Sequence, residues 1–356
     1  MSDWFKLTGQ PVLMIAVVLA VVTPVVVVVL WSRARGRGAT LQRRVLDVAG
    51  RVVVVVLAQV LAMFALFLYV NNDYGFFSSW SDLFGTQDAF PQRVNPASVD
   101  SGAGKTEVLA VRNSQGILDD VLVWLPPGYE QLTNLPVLMF LPGQPSQPDK
   151  VFAHFAFGAV ASAEIKAGRV RPFIGVFPPI MIAPPRDTEC VDVPGGPQAE
   201  TWLTSTVPAA VQAKYHTAPL GRDWSVAGFS TGALCASKLA LGHPDKFAAA
   251  VAFGGEYEPY LDNTTGDLFH GDQQVRNRNS SRWLYTTYGM RGAHLLMVSS
   301  RQDSWAWQST QAMATLTRGN SNVTLLDSPT GGHNFHTYAP YLAQSLSWLN
   351  AAKAFG

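Results

Sequence analysis

The stretch Trp224-Ser225-Val226-Ala227-Gly228-Phe229-Ser230-Thr231-Gly232-Ala233 decides the fold of this chain. Its first four residues are apolar enough for a buried strand, and an Ala/Leu-rich stretch from Ala233 to Leu241 has the composition of a helix. Between them, glycines two residues either side of Ser230 allow a strand-to-helix turn too sharp for bulkier neighbours. Such a turn forces its central residue into a strained conformation and lifts the serine hydroxyl clear of the sheet.

Working outward, apolar runs of strand length alternate with helical patterns. The runs are Glu107–Val111, Asp120–Leu125, Val137–Leu141 and Phe173–Phe177, then Ser225–Gly228, Ala248–Phe253, His294–Ser299 and Val323–Leu326. Alternation of this kind predicts a mostly parallel sheet covered by helices, with chemistry at the carboxyl edge of the strands.

A serine needs a base to take its proton, and the base needs a carboxylate to fix its tautomer. Only His333 and His336 of the seven histidines follow the last strand. His333, in the Gly331-Gly332-His333 loop, is the expected base, and His336 is the alternative at the start of a helix. Asp303, a few residues beyond the His294–Ser299 strand, is the expected acid, with Glu256 and Asp327 as rivals at neighbouring strand ends. Oxyanion donors are expected from the backbone N–H of Thr231 and from that of Gln144 in Pro142-Gly143-Gln144-Pro145, where the prolines donate nothing.

The chain resembles the esterase D family of α/β-hydrolases, which includes trehalose mycolyltransferases of the antigen 85 type and feruloyl-type esterases. The likeness covers roughly residues 105 to 350. It rests on Glu200-Thr201-Trp202-Leu203-Thr204, Gly228-Phe229-Ser230-Thr231-Gly232, His243-Pro244-Asp245-Lys246-Phe247 and Gly332-His333-Asn334-Phe335. The resemblance implies an α/β-hydrolase fold and a Ser230, Asp303, His333 set that forms an acyl-serine, with Gln144 as first oxyanion donor. Pro142 departs from the aspartate of mycolyltransferases and the histidine of many esterases at that position. The expected activity is that of a serine esterase or acyltransferase needing neither metal nor organic cofactor. Its alternatives are mycolyltransferase-like transfer to trehalose or another sugar alcohol, and a catalytically silent binding domain of the cell envelope.

The N-terminal part reads differently. Pro11–Trp31 and Val52–Val70 are runs of 21 and 19 residues without a charge, each long enough to cross a bilayer as a helix. A cleaved signal peptide is the alternative for the first, and a buried strand for the second. Arg33, Arg35, Arg37, Arg43, Arg44 and Arg51 lie between or at the edge of these runs with the single acid Asp47, which predicts a cytoplasmic loop and an extracytoplasmic catalytic domain. Residues 1–71 are thus expected to anchor the chain in a bilayer, 72–104 to link, and 105–356 to form the catalytic domain. Tyr74, Phe76, Phe77, Trp80 and Phe84 would sit at the membrane interface or pack on the catalytic domain. A formal net charge of +1 gives no electrostatic case for nucleic acid, leaving an ester or acyl-lipid substrate as the expected partner. The two cysteines, Cys190 and Cys235, are expected either to bridge in an oxidising compartment or to remain buried free thiols.

Overall fold

A computed structural model describes residues 7, 10–33, 41–74, 80–83, 103–144, 146–352 and 354–355. The chain divides into two compact units, Met1–Gln87 and Asp88–Gly356.

In the larger unit every expected strand forms. They are β1 (Lys105–Arg112), β2 (Leu118–Leu125), β3 (Val137–Leu141), β4 (Ile174–Phe177), β5 (Gly221–Phe229), β6 (Phe247–Phe253), β7 (His294–Ser300) and β8 (Val323–Ser328). They build one eight-stranded sheet in the order β1-β2-β4-β3-β5-β6-β7-β8. The β1–β2 and β2–β4 pairs are antiparallel, and all others are parallel. This is an α/β-hydrolase-like fold.

The central strands are apolar on both faces because helices cover both. Every residue of Val137–Leu141 and of Ile174–Phe177 is buried. One layer is aromatic: Phe140 stacks on Phe177 and Phe253, and Phe155 and Phe157 meet its ring edge-on. The other face receives the helix Thr231–Gly242, which is buried from Gly232 to Leu241 and packs against β5 and β6. Its small alanines let it lie close to the sheet. Burying each Leu of such a helix contributes roughly 1.5–3 kcal/mol, so a fully covered helix is fixed relative to the strands it follows.

The smaller unit is helical, over Gln10–Arg33 and Leu41–Tyr74, with Ala16 packed among Ala65 and Leu68. The expectation of two membrane spans is met only in part. Among the described residues one helix, Val48–Asn71, is long and apolar enough to cross a bilayer, and the first helix contributes a shorter described apolar stretch, Pro11–Val26. Trp80 lies in a short helical turn, Trp80–Leu83. Phe76, Phe77 and Phe84 of the expected aromatic belt, and residues 84–102 of the expected linker, lie outside the described residues, as does Pro145.

Candidate active site

Five consecutive parallel strands each deliver one residue at their carboxyl ends. Gln144 follows β3, Ser230 β5, Glu256 β6, Asp303 β7 and His333 β8. Neighbouring strands lie about 4.8 Å apart, so sequence-distant side chains converge within hydrogen-bonding reach.

The turn at Ser230, the elbow between β5 and the helix Thr231–Gly242 (the elbow helix), is as tight as its sequence implies. Ser230 adopts φ 58° and ψ −124°, a region that L-residues rarely occupy. A Cβ on Gly228 would lie 2.0 Å from the Gly232 carbonyl oxygen, and one on Gly232 would lie 2.3 Å from that of Leu141. Neither position accepts a side chain. The Ser230 N–H donates to the Phe253 carbonyl across to β6, which holds the strained residue at 3.0 Å.

Ser230 Oγ lies 2.8 Å from His333 Nε2, and His333 Nδ1 lies 2.6 Å from Asp303 Oδ2. The same Asp303 oxygen accepts from the Tyr338 hydroxyl at 2.6 Å, and Oδ1 accepts from the Ala306 N–H at 3.3 Å. Asp303 is thus buried, caps the helix Ser304–Leu316 and has both oxygens engaged. Burial, aggravated by the negative charge of Asp303, pushes the Tyr338 hydroxyl far above its usual range, so it stays protonated and keeps donating. The imidazole stacks on Phe229, ring centroids 5.0 Å apart. The loop beneath it is tied to β7 by the Gly331 N–H donating to Gln302 Oε1 and by the Ser300 hydroxyl donating to the Gly331 carbonyl.

The alternatives separate by position. His336 is exposed on the short helix Phe335–Tyr338, and Asp327 pairs with Arg301 at 2.7 Å on the surface. Glu256 remains near the site. Burial pushes its carboxyl up to about 7, it accepts a hydrogen bond from the Trp305 indole, and it feels the charges of His333 and Asp303. It does not occupy the position behind the imidazole.

Ser230 opens into a cavity of about 100 Å³ that Gln144, Thr231 and Leu234 also line. Its far wall is a loop invisible to motif reading, carrying Asp187 and Glu189, and its rim carries Glu256, Tyr260 and Asp262. Burial raises the carboxyls of Asp187 and Glu189, the latter to about 8. The wall is held from behind. Cys190 is disulfide-bonded to Cys235 on the elbow helix, and the buried Lys238 ammonium donates to the carbonyls of Glu189 at 3.1 Å and Cys190 at 2.7 Å and to the Asn279 side chain. Two conspicuous sequence stretches meet here: His243 Nε2 lies 2.6 Å from the Glu200 carboxyl, and Lys246 donates to the Thr204 carbonyl at 3.0 Å. Tyr338 and the carboxyl-bearing wall were missed by sequence reasoning. The repeated acids in Arg186-Asp187-Thr188-Glu189 were the available signal for the second.

Comparison with known proteins places these features in context. The family model Esterase, described as "Putative esterase", matches residues 119–349. An uncharacterized protein of Corynebacterium glutamicum, Cgl0967/cg1104, is 26% identical over 250 residues, a match covering 65% of this chain and 56% of that protein. The chain therefore spans little more than half the length of that relative. Among solved structures, a ferulic acid esterase is similar at a TM-score of 0.59 with 18% identity, covering 70% of this chain and 98% of the other. FphF, a fluorophosphonate-binding serine hydrolase of Staphylococcus aureus, matches at 0.58 with 18% identity, covering 69% and 98%. MPT51 of Mycobacterium tuberculosis matches at 0.53 with 18% identity and the same coverage. At these identities the structural likeness establishes the fold.

Proposed function

The chain belongs to the esterase family and is an ester-hydrolysing enzyme, and on that premise we propose that it works through an acyl-serine formed on Ser230. The observation that carries this reading is the unbroken series from Ser230 Oγ through His333 to Asp303, at 2.8 and 2.6 Å.

In the first half-reaction, His333 Nε2 takes the Ser230 proton as Oγ attacks the acyl carbon. The developing oxyanion accepts from the backbone N–H groups of Thr231 and Gln144, each contribution being worth on the order of 3–4 kcal/mol of barrier. The imidazolium, held by Asp303, then protonates the leaving alcohol oxygen, and the tetrahedral centre collapses to the acyl-serine. In the second half, His333 deprotonates water or an acceptor alcohol, which attacks the acyl carbon and releases Ser230. Tyr338 and the Ala306 N–H satisfy the remaining acceptor capacity of Asp303, so its charge stays directed at Nδ1.

We propose further that residues 1–71 anchor the protein in a bilayer through two helices, that 72–104 link, and that 105–356, the catalytic domain, lie outside the cytoplasm. Supporting this are the apolar helix Val48–Asn71 and the arginines that precede it. Val17, Val21, Val53 and Met63 also expose 46 to 72% of their surface, an arrangement that suits lipid better than water. The Cys190–Cys235 bond suits an oxidising compartment. An enzyme held at a membrane meets lipid-borne acyl groups, and the second half-reaction is open to an acceptor alcohol as well as to water.

Rapid mixing of the full-length protein with a p-nitrophenyl ester tests the catalytic reading. A burst of nitrophenol equal to the enzyme concentration is expected, absent in Ser230→Ala. Steady turnover by Ser230→Ala at the original rate would refute it.

A further inference from the structure

The helix Leu41–Tyr74 carries a polar side chain where its composition gives least reason for one. From Val52 to Leu68 every residue is apolar except Gln59, which is the twelfth residue of the 24-residue stretch Val48–Asn71. At a rise of 1.5 Å per residue, its backbone lies within about 1 Å of the middle of that stretch.

The helix has two faces. Ala65 and Leu68 are buried and pack with Ala16 of the helix Gln10–Arg33. Val52, Val56, Gln59, Met63 and Leu66 recur at spacings of four, three, four and three, which places them in one stripe on the opposite side. Gln59 is exposed, and the apolar members of the stripe expose 50 to 72% of their surface. Among the described residues nothing hydrogen-bonds to the Gln59 amide. Thr23 of the neighbouring helix, by contrast, turns its hydroxyl back onto the Leu19 carbonyl at 2.6 Å.

Lipid tails offer neither donor nor acceptor, so an unpaired amide at mid-bilayer depth is costly. A primary amide carries both a carbonyl oxygen and an NH2 group and is complementary to another of its kind. A second copy of this chain, inserted in the same orientation, brings an identical amide to the same depth, flanked by the same Val52, Val56, Met63 and Leu66. The spacing of the stripe averages 3.5 residues, the period of a left-handed helix pair, and a lone polar residue in such a seam fixes its register.

We infer that this face is a parallel homodimer interface in which the two Gln59 amides hydrogen-bond to each other across the twofold axis. The inference rests on the proposed membrane anchoring of residues 1–71, and the test separates the two.

Full-length protein labelled with donor or acceptor fluorophores is reconstituted in phosphatidylcholine vesicles at increasing lipid dilution. Energy transfer between copies should persist to dilutions about 3- to 30-fold greater for wild type than for Gln59→Leu. That substitution makes the helix more apolar, so insertion is not at stake, and fluorophosphonate labelling of Ser230 should be unchanged. Cys190 and Cys235 are bonded to each other, so an introduced cysteine is the free thiol. Under copper phenanthroline, Val56→Cys and Met63→Cys should form covalent dimers faster than Leu57→Cys, which is 50% exposed but off the stripe. Equal persistence of energy transfer in wild type and Gln59→Leu, or cross-linking at Leu57 that matches Val56 and Met63, overturns the inference. Alkaline carbonate extraction judges the anchor by itself. Protein that stays in the membrane yet is monomeric at every dilution overturns the interface alone, whereas protein released by carbonate overturns both.

Discussion

The two walls of the cleft are built by different means. On one side, Ser230, Asp303 and His333 stand at the ends of β5, β7 and β8, so the regular spacing of a parallel sheet sets their separations. On the other, Asp187 and Glu189 belong to a loop with no sheet neighbour in register. Tethers hold it instead: the Cys190–Cys235 bond, the Lys238 hydrogen bonds and the Arg186 guanidinium donating to the carbonyls of Thr265 and Asp267. Glu189 and Cys190 both have positive φ, 43° and 56°, conformations that need such outside support. Strand ends thus fix the serine, histidine and aspartate, tethers fix the carboxyl-bearing loop, and the two walls should fail separately.

The largest effects are expected on the sheet side. Ser230→Ala and His333→Ala should each lower kcat by roughly 10⁴–10⁶, and the double variant should be no worse than either, since such residues act as a unit. Additive losses in steady-state kinetics would break the assignment. Asp303→Asn should cost on the order of 10³–10⁴ through the wrong imidazole tautomer, whereas Glu256→Gln and Asp327→Asn keep most activity. If Glu256→Gln proves the damaging change, the acid has been placed on the wrong strand.

Much of the sheet side was legible in the sequence, because it follows from local rules. All eight strands and the elbow helix lie within a few residues of the apolar runs that predict them, and Gly228 and Gly232 announce the elbow. Glycine at two fixed offsets from a serine arises often by chance, and the apolar strand before it and the Ala/Leu-rich helix after it are what made the turn readable. Tyr338 was not legible: it reads as one more apolar helix residue, and only the fold brings its hydroxyl to Asp303. The loop wall was opaque for a related reason. Asp187 and Glu189 look like solvated loop carboxylates until Cys190, Lys238 and Tyr260, which are distant in sequence, enclose them. Of the two expected spans, the second, Val52–Val70, lies within the helix Val48–Asn71, whereas the first has a shorter described apolar stretch, Pro11–Val26.

On the tethered side the effects should be on stability. Removing the bond by Cys190→Ala/Cys235→Ala frees a loop spanning 45 residues, which corresponds to about 4 kcal/mol in the loop-entropy model. Thermal unfolding should show a fall in Tm on the order of 10 °C. Labelling of Ser230 at room temperature should survive. Loss of both together would mean that the walls are one unit.

A smaller effect is expected from Glu189, whose carboxyl burial pushes up to about 8 against an unfolded value of 4.5. The folded state holds a proton that the unfolded chain releases, so this contribution is complete below pH 4.5 and is lost as pH rises towards and through 8. Wild-type Tm should therefore decline between those limits more steeply than that of Glu189→Gln. Parallel profiles would show that the carboxyl is not held neutral. Tyr338→Phe should have the least effect, about a tenfold loss in kcat or less, since it removes one neutral donor from a carboxylate that keeps His333.

The most direct test of the account is where a fluorophosphonate probe attaches to the full-length protein. Peptide mass spectrometry should find one adduct, on Ser230, formed by wild type and by Glu189→Gln but not by His333→Ala. An adduct on another serine, or undiminished labelling of Ser230 in His333→Ala, would contradict the claim that His333 activates Ser230 at the end of β5.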